Sequence, residues 1–404
     1  MDLPSLLAAV EEASPVDAVD ALSQELARAV GAGHVAVLIA NFSGNAVVRM
    51  SHVSGTGREQ AGHNERAESL PLPGTAYERV LFTQSRELVK LEDGWLALVP
   101  ITERGDAIGI LEVSFADEPA ADVVEDLVVA THAWAYALIA SRRHTDLFEW
   151  AQRDIPFSVA AEIQRRLLPS AYTVEAGPLS LAGWLEPSHD VGGDTFDYSL
   201  DREYLYASIT DAMGHDTAAA LLATLAVATL RNRRRALASP AEQADAANDT
   251  LQTHAADQFV TGLLMRIRLA DGTVEVVDAG HPFPFLVRDG VVASLELTTQ
   301  LPLGLGTAPY RADTVTLEPG DRLLMVTDGC VDRLDGRLDV EDFLRRSLDR
   351  HPRQIVQELG RTVREITGGK LADDATALCL DWYGPPGRRA ATGGASRARA
   401  TRDN

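Results

Sequence analysis

Residues 204–235, YLYASITDAMGHDTAAALLATLAVATLRNRRR, join a β-branched and aromatic run to a sharp acidic turn and then to a long apolar run. The first seven residues read as a strand. Ala218 to Leu230 reads as a helix buried on most of its surface, capped by Asp216 and followed by Arg231. It falls short of the roughly 20 apolar residues that a bilayer crossing needs. Between strand and helix lies Thr210-Asp211-Ala212-Met213-Gly214-His215-Asp216, which places carboxylates where a strand ends.

Three more stretches repeat that arrangement: Val191-Gly192-Gly193-Asp194, Thr327-Asp328-Gly329 and Asp373-Asp374-Ala375-Thr376. Aspartate has a short stem, so strand-end aspartates make a rigid set of oxygen donors, the kind that hard cations such as Mg²⁺ and Mn²⁺ take. Two such cations activate water and clamp a phosphate. Glycine beside the acids lets the chain turn and leaves room. Each stretch alone has a plain alternative. Asp-Gly after a strand is a common turn, Asp216 is a natural helix N-cap, and Asp374 reads equally as a solvated neighbour of Asp373. Four acidic turns within one domain carry the inference together.

The rest of that domain mixes strands such as VTGLLMRIRL, TVEVVDAG and DRLLMVTDG with helices, and Asp271-Gly272 and Asp289-Gly290 read as hairpin turns. Arg231 to Arg235 ends the apolar helix with five residues, four of them arginine, suited to a helix C-terminus or to a phosphate. Residues 385–404, PPGRRAATGGASRARATRDN, read as a disordered basic tail.

Towards the N-terminus the pattern changes. Val16, Val19, Leu22, Leu26 and Val30 recur at helical spacing, VAVLIANF and AVVRMSHV read as strands about Ser43-Gly44-Asn45, and WLALVPITERGDAIGILEVSF reads as two strands joined at Arg104-Gly105-Asp106. A long helix begins near Ala120, with Val124, Leu127, Val128, Trp134, Leu138 and Ile139 as its stripe and Arg142, Arg143 and His144 beyond, before Pro156. It reads either as a connector that dimerises or as a helix packed on its own domain. His34, His52 and His63 read as surface or turn residues.

The 404 residues allow two to three domains. A net charge of −22 disfavours nucleic acid and anionic lipid as partners. Cys330 and Cys379 are too few and too isolated for a disulfide framework, which points to a reducing, cytoplasmic setting. The start of the chain, MDLPSLLAAVEEASPVD, lacks a basic n-region and does not read as a signal peptide.

From about Glu162 to Asp381 the chain resembles the metal-dependent protein phosphatases of the 2C type, in the bacterial branch typified by the sporulation stage II E phosphatase. The matching residues are Gln164 to Pro169, Val191 to Asp197, Asp211 to Asp216, Ala279 to Phe283 with Pro282 and Pro284, Leu301 to Gly304, Pro319 to Asp321, Thr327 to Gly329 and Asp373 to Thr376, all in order. The N-terminal layout resembles a GAF sensory domain. The resemblance implies an α/β (α+β) two-domain chain: a GAF-like sensor over 1–118, a helical connector over 119–170, an αββα phosphatase sandwich over 171–384 and the tail over 385–404. It implies two Mn²⁺ or Mg²⁺ ions held by Asp211, the Ala212 carbonyl, Asp328 and Asp373, with Asp194 beside the first ion or its waters. Asp211, Asp328 and Asp373 would be the catalytic acids, and activated water would attack directly with no phosphoenzyme. The substrate would be a phosphoserine or phosphothreonine on a regulatory protein, in this branch an anti-sigma-factor antagonist of the STAS fold. A homodimer through the connector is a further expectation.

Two residues depart from the family pattern: Met213 stands where a small residue is usual and Asp216 where glycine is usual. They motivate a second reading, a phosphatase-fold scaffold that binds a signalling partner with weak turnover. A different two-metal enzyme built on His215-Asp216 would need further histidines that the sequence does not place. His215 and His281 are candidates either for a general acid or for residues that fix their loops.

Overall fold

The computed structural model describes residues 3–41, 46–54, 57–59, 68–152, 158–188, 192–214, 216–331, 334, 336–369 and 371–385. The Ser43-Gly44-Asn45 turn, His63, Val191, His215 and nearly all of the basic tail lie outside that set, and the side chain of His52 is likewise not described. The chain divides into two compact units at Pro156/Phe157.

In the first unit the order is α1 (Leu3–Glu12), α2 (Ala18–Val30), β1 (His34–Ala40), β2 (Ala46–Ser54), β3 (Gly57–Glu59), β4 (Ser69–Pro71), α3 (Ala76–Thr83), β5 (Glu87–Leu91), β6 (Gly94–Glu103), β7 (Asp106–Phe115), α4 (Ala121–Ser141) and α5 (Leu147–Ala151). The strands form one antiparallel sheet in the order β3-β2-β1-β7-β6-β5, with β4 on β2. One face packs Val35, Val37, Ile39, Leu111 and Val113 against Leu22, Leu26, Leu127, Trp134, Leu138 and Phe148 of the helices. The other packs Ala36, Leu38, Leu98 and Ile110 against Val80 and Leu81 of α3. The β6–β7 hairpin turns at Arg104 and Gly105, both at positive φ, as a two-residue hairpin of the primed type requires.

Of the segment read as a connector over 119–170, the larger part belongs to the first unit. α4 buries Val124, Leu127, Trp134 and Leu138 on the sheet and on α2. Its opposite face leaves Val129, Tyr136 and Ile139 exposed. The later helix α6 (Val159–Leu167) packs in the second unit. Among the described residues α4 is the one helix long and apolar enough to cross a membrane by length and composition, a property shared by core helices.

After α6, the second unit continues with β8 (Thr173–Ala176), β9 (Leu179–Glu186), β10 (Asp194–Leu200), β11 (Tyr204–Ala212), α7 (Thr217–Arg235), α8 (Pro240–His254), β12 (Val260–Arg268), β13 (Thr273–Ala279), β14 (Phe285–Arg288), β15 (Val291–Ser294), β16 (Asp313–Thr316), β17 (Arg322–Val326), α9 (Val340–Arg346), α10 (Pro352–Thr367) and β18 (Ala375–Trp382). Two antiparallel sheets, β10-β11-β12-β13-β16 and β15-β14-β17-β18-β9-β8, stack face to face. Alternation along the strands sends one set of side chains between the sheets and the other set under helices. Phe196, Ile209, Leu263 and Met265 meet Leu181, Leu323, Met325 and Leu378 in the sandwich. Val260, Leu264 and Val277 face α7 and α8. Leu324, Val326, Ala377 and Cys379 face α9 and α10. This is the expected αββα arrangement. β18 is buried at all eight positions because both of its faces are covered. Both cysteines are buried and free.

Candidate functional site

Strand register brings the acids together. In the first of the two sheets Asp194 of β10 pairs with Asp211 of β11, and Asp211 pairs with Thr261 of β12. Residues opposite one another point to the same side of the sheet, so Asp194 and Asp211 share one face. From the other sheet, Asp328 follows β17 in a short 3-10 turn and Asp373 precedes β18. Asp211, Asp328 and Asp373 are all half-buried, and Asp194 is only 2 % exposed.

Threonines stitch the two sheet ends. The Thr327 hydroxyl donates to Asp194 Oδ2 at 2.7 Å and the Thr376 hydroxyl to the same oxygen at 2.6 Å. The Thr376 amide in turn donates to Thr327 Oγ1 at 3.0 Å. One oxygen of Asp194 is thereby committed, so this carboxylate holds the frame as well as facing Asp211.

Asp374 is no solvated neighbour of Asp373. It is 2 % exposed and accepts from Gln164 Nε2 at 2.6 Å and from the amides of Ser188 at 2.9 Å and Gly193 at 3.1 Å. Gln164 also donates to the Asp194 carbonyl at 2.9 Å, so α6 is tied to the floor of the site. Gln164 stands 210 residues before Asp374, and nothing local in the sequence marks the pair.

The glycines act differently from the sequence expectation. Neither Gly193 nor Gly329 has positive φ. A Cβ on Gly329 would lie 1.9 Å from the Asp374 carbonyl oxygen, and one on Gly193 would lie 2.6 Å from that of Ala212. They are required because backbone meets backbone at the sheet ends. Gly214, at φ +101°, is the true turn glycine.

Asp216 caps α7, accepting from the Ala218 amide at 2.7 Å. Arg231 and Arg234 both pair with Asp197, at 2.9 and 2.8 Å, so those two arginines join α7 to β10 and are not held ready for a phosphate. Met213 is about half exposed beside Ala212. His281 is buried, and loss of hydration drives its imidazole down to about 3. Burial disfavours its charged form, which tells against a general-acid role.

Burial and then the facing carboxylates of Asp328 and Asp373 push Asp211 up to about 7. Asp194 is raised for the same reasons, burial first and then Asp211 and Asp374. Carboxylates gathered in this way fit a hard divalent cation in donor type. Among the described residues no three acid, histidine or cysteine side chains already converge as a closed ion cage. The donor types fit the ion.

This repulsion has a measurable sign. Asp211 binds its proton more tightly folded than unfolded, so its stabilising contribution is full below about pH 4 and is lost as pH rises through about 7. Buried His281 has the opposite sign: its contribution is present above about 6.5 and is lost as pH falls toward 3. Comparing metal-free wild type with Asp211→Asn cancels the histidine. The wild-type melting temperature should fall relative to the variant between pH 4 and 7, and parallel curves would refute the assignment.

Residues 201–383 match the family profile described as Stage II sporulation protein E (SpoIIE). Among solved structures, the RsbU and RsbW domains of Rv1364c from Mycobacterium tuberculosis are 23% identical with a TM-score of 0.47, over 53% of this chain and 63% of that one. The PP2C phosphatase domain of SpoIIE from Bacillus subtilis, with a fragment of its regulatory domain, is 14% identical with a TM-score of 0.45, over 74% and 82%. The catalytic domain of the serine/threonine phosphatase PstP, in complex with 2 manganese ions, is 15% identical with a TM-score of 0.40, over 50% and 97%.

Proposed function

We propose, from the match of residues 201–383 to the stage II sporulation protein E family and from the acidic end of the sandwich, that the chain is a metal-dependent protein serine/threonine phosphatase. The observation that carries the reading is the gathering of acids at one end of the sandwich, where burial and then the facing carboxylates of Asp328 and Asp373 raise Asp211 to about 7. Asp211, Asp328, Asp373 and the Ala212 carbonyl would hold two Mn²⁺ or Mg²⁺ ions. When bound, such ions supply an activated water and neutralise phosphoryl oxygens. The chain's own part is placement. The Thr327 and Thr376 hydroxyls fix Asp194, Asp374 fixes the Gly193 and Asp194 backbone through its hydrogen bonds, and Asp211, Asp328 and Asp373 stay partly exposed.

The scaffold reading loses one of its two motives, because Asp216 is engaged as a helix cap. The substrate is read as a phosphoserine or phosphothreonine on a regulatory protein, an anti-sigma-factor antagonist of the STAS fold. The first unit is read as a GAF-like sensor, supported by its central antiparallel sheet with α3 on one face and the other helices on the opposite face. The exposed Val129, Tyr136 and Ile139 of α4 give a homodimer a surface to use. The free buried cysteines accord with a cytoplasmic setting.

The test is phosphate release, with Mn²⁺ present, from a phosphoserine-bearing STAS protein and from a phosphotyrosine peptide. The reading requires release from the first and little from the second. Tyrosine-selective release, or none from either, would contradict it.

A further inference from the structure

His281 sits where the chain crosses from one sheet to the other. β13 ends at Ala279, Gly280 turns at φ +71°, and β14 begins at Phe285 in the opposite sheet. The turn is held in place. Asp278 Oδ1 accepts from the His281 amide at 2.8 Å, Asp278 Oδ2 accepts from the Thr299 hydroxyl at 2.8 Å, and the Asp278 carbonyl accepts from the Gln300 amide at 3.0 Å.

The imidazole is 5 % exposed, and its Nδ1 stands 3.0 Å from the Thr261 hydroxyl. Thr261 is the register partner of Asp211. Four residues on from His281, Phe285 of β14 pairs with Leu324 of β17, the strand that leads to Asp328. Nε2 closes no hydrogen bond among the described residues. The links therefore run from the strand row that carries Asp211, through Thr261 and His281, into β14 and so to its neighbour β17, which leads to Asp328. A ring with its proton on Nε2 accepts a hydrogen bond from the Thr261 hydroxyl at Nδ1.

We infer that His281 is a positioning residue, a strut that sets the spacing between Asp211 and Asp328 across the two sheets. The inference rests on the metal reading of that site. Loss of a group that orients metal ligands costs about 10–100-fold in metal affinity.

The test is calorimetric titration of Mn²⁺ into chelator-treated full-length protein, with melting temperatures measured alongside. Thr261→Val removes the hydroxyl and keeps a β-branched shape. It should weaken Mn²⁺ binding about 10-fold or more and raise the Mn²⁺ concentration for half-maximal turnover, with turnover recovering at saturating Mn²⁺. Thr261→Ser should restore affinity, and His281→Leu should weaken it if it folds. Unchanged affinity in Thr261→Val, with wild type binding Mn²⁺ and Asp211→Asn not, would overturn the strut alone. No uptake by wild type would overturn the metal reading beneath it.

Discussion

Asp211→Asn is expected to lose activity and gain stability at once. Asparagine keeps the shape of aspartate, so β11 and its pairing with Asp194 and Thr261 remain. The charge that would hold a cation is gone, and turnover should fall by more than the roughly 10–100-fold that loss of an outer partner costs. The metal-free variant should nevertheless melt higher than wild type at pH 7, because the repulsion from Asp328 and Asp373 is relieved. An ordinary damaging substitution lowers both. Activity and thermal unfolding measured on the same preparation separate the cases, and retained turnover would remove Asp211 from the ligand set.

Arg322→Leu is expected to be among the most destabilising single changes in the second unit. Arg322 and Asp381 face each other in register on β17 and β18, and both are wholly buried. Arg322 Nε donates to Asp381 Oδ1 at 2.7 Å and Nη2 to Oδ2 at 2.9 Å. Nη1 donates to the Ser347 carbonyl at 3.1 Å and Nη2 also to that of Arg350, tying down the segment before α10. Leucine would leave Asp381 buried without its counter-charge, a loss of about 3–5 kcal/mol. Replacing both, Arg322→Met with Asp381→Leu, should cost less than Arg322→Leu alone. Denaturant unfolding of the variants checks this. A change within about 1 kcal/mol, the size expected of an exposed pair, would show that burial is not what matters there. The pair lies at the start of β17, four residues before Val326 and so roughly 13 Å from the acidic end. Surviving folded protein should keep its turnover.

Much of the site was legible because its signals are local. A strand, an aspartate and a glycine are consecutive in Thr327-Asp328-Gly329, and the cap at Asp216 and the helix after it are read from adjacent residues. What stayed hidden depends on partners far along the chain. Asp374 gives no local sign that it is buried, since Gln164, Ser188 and Gly193 arrive from other elements. Gly329 was legible as glycine for the wrong reason: its necessity comes from the Asp374 backbone and not from its own φ. The α4 stripe was visible from Val124 to Leu138, but a stripe does not say what covers it, and here its own sheet does. His281 drew attention as a possible acid, and only its burial tells against that role.

The central claim is that the acids at one end of the sandwich form a metal-dependent phosphoesterase centre. The most direct measurement is hydrolysis of an aryl phosphate by purified full-length protein with Mn²⁺, with chelator, and with Asp328→Asn in Mn²⁺. Turnover that needs both Mn²⁺ and Asp328 is the predicted result. Turnover that survives chelation, or that Asp328→Asn retains, would contradict it.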